Sequence, residues 1–252
     1  MTHTHPVKTT GILLILLIVF LNIPYTLLIQ TFEYDDILRQ PVDAVLTKFH
    51  AGGASLILTW FAFGLSALLF IPVSVLLHQL LARDTARYLS IATVAGILSG
   101  ILQSIGLMRW VFVIPVLANL YTDPASSPAT REAVAVVYQA VHQYGGVVLG
   151  EYLGQTLLII WTLGVSIAML KSSLFRSWMS WFGLITLPLL LLGQTELLKT
   201  VLPAIPVLEF TPIGFILWQL WLLIIGISLL RSPVGGSQRK QRQTNKSLSI
   251  LL

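Results

Sequence analysis

Arg109, Glu151 and His142 are the residues of this sequence best suited to chemistry, since each stands in or beside a long apolar stretch. A charged side chain in hydrocarbon is costly, so it needs a partner, a cavity or access to water. Arg109 could bind an anionic group or stabilise developing negative charge, and Glu151 or His142 could act as a general acid or base. The alternatives stay open: an Arg/Glu pair can simply lock two helices together, and a lone histidine is often only a hydrogen-bonding residue.

Further polar residues fall at a similar predicted depth in the membrane. A helix rises about 1.5 Å per residue, which puts most of them roughly 24 to 30 Å from the cytoplasmic ends of their helices. They are Gln103, Gln155, Gln194 and Glu196, with Asn22 somewhat deeper. We expect these side chains to line a polar pocket together with Arg109, Glu151 and His142, in the outer half of the membrane.

The composition predicts an integral membrane protein. Of the 252 residues, 56% are hydrophobic and 10% charged, and the mean hydropathy is +0.85. Soluble domains carry charge on about a quarter of their residues. The chain has no cysteine, which excludes disulfides and thiolate metal sites. It contains no HExxH, GxSxG, Walker or GxGxxG motif in a supporting context, so the sequence predicts neither a cofactor nor a metal.

Six apolar stretches are each long enough to cross about 30 Å of hydrocarbon, and they predict an all-α transmembrane bundle. The predicted spans are Gly11–Gln30, Ala54–Leu80, Tyr88–Val113, Gly146–Leu170, Trp178–Leu198 and Thr211–Leu230. We expect residues 1–231 to form a single transmembrane domain. Residues 232–252 form a polar, basic tail that we expect to be disordered and cytoplasmic.

The basic and acidic residues alternate along the connecting segments. Basic residues stand at Lys8, Arg83, Arg87, Lys171, Arg176 and Arg231, and acidic residues at Glu33, Asp35, Asp36, Asp43, Asp123, Glu132 and Glu209. Since cytoplasmic segments are enriched in lysine and arginine, both termini are predicted to be inside the cell. The net charge of +5 therefore comes mainly from residues that set the topology and from the basic tail. We expect the tail to be attracted to anionic lipids, and nucleic-acid binding is not expected.

Two short interfacial helices are predicted on the outer side, above the polar pocket. In the first, Val42, Val45, Leu46 and Phe49 recur at helical spacing after Pro41. In the second, Thr130 could cap a helix that runs through Gln143 and ends at Gly145 and Gly146.

Glycines at four-residue spacing predict how the third and fourth spans pack. Gly146, Gly150 and Gly154 form a ridge along which a neighbouring helix can approach closely. Gly96 and Gly100 form a similar ridge in the third span. We expect the two ridges to meet and to bring Arg109 against Glu151.

Four separated stretches resemble a known family. They are residues 34–39 (YDDILR), 109–115 (RWVFVIP), 127–133 (SPATREA) and 150–155 (GEYLGQ). In this order they resemble the bacterial multi-pass membrane proteins of domain-of-unknown-function family 4386, and the likeness extends from the first span to Arg231. The resemblance implies an all-helical protein of the bacterial inner membrane, and it assigns neither an activity nor site residues.

Three functions remain open at this stage. The first is binding or handling of a small polar or amphipathic ligand, such as a lipid, in the outer polar pocket. The second is a membrane-embedded enzyme with Glu151 or His142 as acid or base and Arg109 as electrostatic stabiliser. The third is a non-catalytic assembly subunit. Membrane lipids are the expected partners, and the oligomeric state is left open.

Overall fold

The computed structural model describes residues 4–34, 36–82, 86–206, 208 and 210–232 of the chain. All regular secondary structure in these ranges is helical. The helices are α1 (Thr4–Phe32), a 3-10 turn (Asp36–Arg39), α2 (Val42–Leu68), α3 (Phe70–Leu81), α4 (Ala86–Phe112), α5 (Ile114–Thr122), α6 (Pro128–Val141), a π-helix (His142–Leu153), α7 (Gly154–Lys171), α8 (Ser177–Gly193), α9 (Thr195–Lys199) and α10 (Thr211–Arg231). The predicted tail beyond Ser232, and Asp35, Arg83 and Glu209, lie outside the described residues.

Six of the helical segments are long and apolar enough to cross a membrane. They are Pro6–Phe32, Val42–Leu81, Tyr88–Thr122, Pro128–Lys171, Ser177–Lys199 and Thr211–Arg231, called here the first to sixth spans. This confirms the predicted all-α, six-span membrane architecture. The second to fourth spans are much longer than the predicted ones, because adjoining helices continue from them with only local distortion.

The spans form a closed ring in chain order. Each span packs against the next one, and the sixth packs against the first. Gly11 and Gly226 lie at the contact between first and sixth spans, where a Cβ on Gly11 would come within 2.8 Å of the Gly226 carbonyl oxygen. The start of the first span and the end of the sixth therefore share one end of the bundle. That this end faces the cytoplasm stays a prediction.

The first of the two predicted interfacial helices is the beginning of the second span. It is separated from the rest of that span by a kink at Gly53, whose φ of 55° lies in the left-handed region that favours glycine. Val45, Leu46 and Phe49 are fully or almost fully buried. The apolar face of this segment therefore packs into the protein core.

The second predicted interfacial helix does not end where expected. Ser127, and not Thr130, caps it by accepting a hydrogen bond from the Thr130 backbone N–H. The helix then continues through Gly145 and Gly146 as the π-helix, so the fourth span runs unbroken to Lys171. The predicted end was wrong because the glycines here support close helix packing, and glycine alone does not stop a packed helix.

The core consists of two clusters at opposite halves of the bundle. One contains Val7, Leu81, Met169, Phe175 and Leu229, and lies toward the end that holds the start of the first span. The other is rich in aromatic side chains and lies beside Arg109. The end of the bundle that holds this second cluster is called the Arg109 end below.

Candidate functional site

The third and fourth spans approach each other most closely at glycine. A Cβ on Gly106 would lie 2.6 Å from the Cα of Gly150 and 3.0 Å from the carbonyl oxygen of Gly145. The glycines predicted in the fourth span do face the third span, but the matching residue is Gly106. Gly100 instead faces the second span, and Gly96 lies against Ser74 and Trp161. The predicted pairing of the two ridges was therefore wrong in its third-span member.

The fourth span contains a π-helix of 12 residues, His142–Leu153, beside this contact. π-Helices bond residue i to i+5 and usually occur as single turns, often at functional sites. In this register the backbone hydrogen bonds join residues five apart, such as Gly145 with Gly150 and Gly146 with Glu151. Glu151 is therefore closer to the Gly146 face of the span than it would be in an α-helix.

Arg109 is buried where the third span meets the π-helix, with 7% of its surface exposed. Its guanidinium packs so closely on Gly146 that a Cβ there would lie 2.5 Å from Nη2. Nη1 donates a hydrogen bond to the Gly106 carbonyl oxygen. The guanidinium carbon also lies 5.3 Å from the ring centre of Trp110, which allows a cation–π interaction.

Glu151 lies close enough to Arg109 to attract it electrostatically. The phenol groups of Tyr34 and Tyr138 are also within electrostatic range of the guanidinium. A buried arginine requires such countercharge and dipoles, because taking its charge out of water is expensive. The surroundings of Arg109 therefore combine a carboxylate with two phenols and an indole ring.

An aromatic cluster covers one side of Arg109. The indoles of Trp60 and Trp110 stack with their centres 4.8 Å apart, and Phe32 and Phe49 pack on Trp110 at 5.4 and 5.6 Å. Tyr34 closes the cluster with an edge contact of 5.1 Å to Trp60. It reaches this position because Glu33 takes a left-handed conformation, with φ of 54°, and ends the first span.

His142 and Tyr138 belong to the fourth span and face the aromatic cluster. Their rings stack at 5.6 Å, and the His142 ring meets the edge of Trp110 at 6.5 Å. The Tyr138 hydroxyl and His142 Nδ1 are both buried, and neither has a hydrogen-bond partner among the described residues. His142 therefore lies beside the Arg109 site, where the sequence analysis expected it.

A groove of about 530 Å³ opens on the flank of the bundle beside Arg109. It runs between the second, third and fourth spans, and its wall is almost entirely apolar. Its lining residues are Leu68, Ile101, Ser104, Ile105, Met108, Arg109, Phe112, Val113, Val141, Tyr144, Gly145 and Leu149. We call this the lateral groove; Arg109 is the charged residue in its wall.

Gln103 and Gln155 lie deeper along the same two spans. Gln103 donates a hydrogen bond of 2.8 Å to Ser99, which in turn donates one of 2.7 Å to the Gly154 carbonyl oxygen. Ser99, supported by Gln103, therefore links the third span to the fourth. Gln155 is half-buried and lies one turn from Glu151.

Two of the predicted site residues, Asn22 and Glu196, bind partners other than Arg109. Asn22 donates hydrogen bonds to the Ile18 carbonyl oxygen and to Oε1 of Gln219, which joins the first span to the sixth. Glu196 forms an ion pair with Arg39 from the first connecting segment. The similar predicted depth of these two side chains did not bring them to Arg109, because depth in the membrane does not specify which helices are neighbours.

Gln194 is buried at the end of α8, with 7% of its surface exposed. Neither its amide nitrogen nor its amide oxygen has a hydrogen-bond partner within the described residues. Near it, Gln143 of the fourth span donates a hydrogen bond of 2.9 Å to Thr200, just beyond α9. This hydrogen bond therefore joins the residue just after the fifth span to the π-helix of the fourth span.

The sequence reasoning missed Gly106, Tyr34 and Trp60. Gly106 is not part of a four-residue glycine repeat, and only its position one turn before Arg109 could have drawn attention to it. Tyr34 and Trp60 are uncharged, so the search for charged and strongly polar residues in the spans did not select them. Among the described residues, no group of three histidine, aspartate or glutamate side chains could hold a metal ion.

Comparison with known proteins gives one match. The family model described as "Domain of unknown function (DUF4386)" matches residues 9–226, which is most of the chain. No curated protein and no solved structure matches the sequence. The matched region contains all six spans almost completely, together with Arg109, the π-helix and the lateral groove. The chain therefore belongs to the DUF4386 family of multi-pass membrane proteins of unknown function.

Proposed function

We propose that this protein binds an amphipathic, lipid-like ligand in the lateral groove. The hydrocarbon part of the ligand would lie along the groove, and its polar group would reach Arg109. The observation that carries the proposal is a buried arginine in the wall of an otherwise apolar groove that opens sideways from the bundle.

The size and lining of the groove support this proposal. Small-molecule sites in proteins are typically about 300 to 1,000 Å³ and mostly apolar, with a few polar groups that fix the orientation of the ligand. At about 530 Å³, the groove lies in that range. Ile105 and Phe112 in its wall are 50% and 68% exposed, so a chain entering from the hydrocarbon would meet apolar side chains.

The position of the groove in the bundle supports a ligand from the outer half of the membrane. Lys8, Lys171, Arg176 and Arg231 all lie at or near the end opposite Arg109. Segments rich in lysine and arginine usually face the cytoplasm, which places this end inside the cell and the groove in the outer leaflet. We place the protein in the bacterial cytoplasmic membrane, as the family resemblance implies.

Groove-filling substitutions test the proposal. Ile105→Trp adds bulk in the wall of the groove, whereas Ile91→Trp adds the same bulk at another exposed position of the same helix, outside the groove. Protein purified in native-lipid nanodiscs should retain a specific lipid, identified by native mass spectrometry. We expect Ile105→Trp to lose that lipid and Ile91→Trp to keep it.

A charge substitution provides the second arm. Arg109→Gln should weaken retention of the lipid by about tenfold or more, since a hydrogen bond to a charged group contributes about 1.5 to 3 kcal/mol. Arg176→Gln, an exposed arginine at the opposite end, is the control. Equal lipid retention in wild type, Ile105→Trp and Arg109→Gln would contradict the proposal. Copurification of a stoichiometric partner protein with an empty groove would favour the assembly subunit instead.

A further inference from the structure

We propose that the polar group recognised at this site is an oxyanion, a phosphate or a carboxylate, bound by Arg109 and Tyr138 with His142 and Trp110 beside them. This inference rests on the proposed function and adds the chemical class of the group that Arg109 binds. It is carried by a set of buried hydrogen-bonding groups that lack partners around one guanidinium.

Five of the twelve buried side-chain polar atoms that lack a partner among the described residues lie at this site. They are Arg109 Nε, the Tyr138 hydroxyl, His142 Nδ1, and the indole nitrogens of Trp60 and Trp110, none of which has a hydrogen bond within the described residues. Arg109 is 7% exposed and Tyr138 is 4% exposed. Buried polar atoms in proteins almost always have a partner, so a group of them indicates a missing one.

The chemistry of these groups selects the partner. The guanidinium N–H and the indole N–H can only donate, the phenol can donate, and one imidazole nitrogen donates in any tautomer. A binding partner for such a set must offer acceptors, and next to a guanidinium it gains most from carrying negative charge. Carboxylate and phosphate oxygens meet both conditions, and arginine binds them in a planar, two-pronged geometry.

The path to these donors leads through the lateral groove. Arg109 belongs to the groove wall, and its guanidinium lies over Trp110, so this residue connects the groove to the aromatic cluster. Gly145 lines the groove and Gly146 packs on the guanidinium, and neither has a side chain that would block the approach. An oxyanion at the end of a hydrocarbon chain in the groove could therefore reach Arg109.

Single-chain probes separate the oxyanion from the hydrocarbon chain. The full-length protein in a neutral maltoside detergent would be titrated with dodecyl phosphate, dodecanoate, dodecanol and inorganic phosphate, and the apparent melting temperature recorded. We expect dodecyl phosphate and dodecanoate to stabilise the protein at concentrations at least tenfold lower than dodecanol. Inorganic phosphate should act only at far higher concentration, because it gains nothing from the groove.

Tyr138→Phe is the diagnostic variant, since it removes only the unpartnered hydroxyl. The ligand-free protein should melt at the same temperature or higher, because a buried polar atom without a partner is lost. Affinity for dodecyl phosphate should fall about tenfold, and affinity for dodecanol should not change. Tyr121→Phe, which removes a hydroxyl from a side chain packed on the same core cluster, should leave the affinities for both probes unchanged.

The possible failures are distinguishable. If dodecanol and dodecyl phosphate bind equally well to wild type and to Tyr138→Phe, the oxyanion inference is overturned and the proposed function stands. If no chain-bearing probe stabilises the protein, the proposed function itself fails. If inorganic phosphate binds as tightly as dodecyl phosphate, the oxyanion site is supported and the hydrocarbon groove is not. Should Tyr138→Phe fail to fold, the selectivity of wild type for dodecyl phosphate over dodecanol still decides the question.

Discussion

Arg109 combines features that are rarely found together in a membrane-spanning helix. It is buried, and it lies beside a carboxylate, a carbonyl oxygen and an indole ring that all compensate its charge. Yet its Nε remains without a partner in the described part of the chain. An arginine serving only to lock two helices would gain most by satisfying all of its donors. The unsatisfied donor favours a site that completes its hydrogen bonding with a ligand.

Glu151 is a negative charge beside Arg109 that would oppose binding of an anion. Glu151→Gln should therefore tighten binding of dodecyl phosphate by about tenfold or more, because like charges at close range and an effective dielectric near 20 repel by up to about 4 kcal/mol. The same titration of melting temperature measures it. Glu132→Gln, an exposed carboxylate at the same end, should leave the affinity unchanged. Weaker binding in Glu151→Gln would instead show that Glu151 positions Arg109 and does not compete with the ligand.

At the scale of elements, the π-helix and its glycines set the geometry of the site. The π-register brings Glu151 closer to the Gly146 face, and the absence of a side chain at Gly146 leaves space for the guanidinium. Gly106 and Gly150 allow the two backbones to touch. An α-helical register over the same residues would rotate Glu151 farther from Gly146.

Two glycine substitutions in this contact should differ in their effect on stability. Gly106→Ala places a Cβ 2.6 Å from the Gly150 backbone and should destabilise the protein by about 1 to 3 kcal/mol, since backbone cannot yield to overpacking. At Gly145 the nearest neighbour to a new Cβ is Arg109 Cδ at 3.8 Å, an ordinary contact. Gly145→Ala should therefore be neutral or slightly stabilising. Thermal unfolding of both variants measures the difference, and equal melting temperatures would contradict the close packing.

At the scale of the whole molecule, six spans in a ring place the connections alternately at two ends. Because the chain lacks cysteine, single cysteines report their side directly. Ala125 lies in an exposed connection at the Arg109 end, and Ser173 lies in an exposed connection at the opposite end, so Ala125→Cys and Ser173→Cys report the two sides. In intact cells we expect a membrane-impermeant maleimide to label Ala125→Cys, and to label Ser173→Cys only after permeabilisation. The reverse pattern would place the lateral groove in the inner leaflet.

The fold could be predicted from the sequence far better than the site. Six apolar stretches with charges at their ends leave few alternatives to a helical membrane bundle, and glycine spacing indicated which face of the fourth span is packed. Arg109, Glu151 and His142 came together because the third and fourth spans are neighbours. Asn22 and Glu196 did not join them, because depth along a helix specifies neither its rotation nor its neighbour. The π-register and the role of Gly106 leave no periodic signal in the sequence.

A structure determined in native lipid would test the central claim most directly. We expect elongated non-protein density along the lateral groove, between Ile105 and Tyr144, ending in a compact feature within hydrogen-bond distance of Arg109 and the Tyr138 hydroxyl. Closed packing of the third and fourth spans over the groove, with Arg109 satisfied by Glu151 alone and no density beside it, would contradict the claim. That result would make the Arg109/Glu151 pair a purely structural link between two helices.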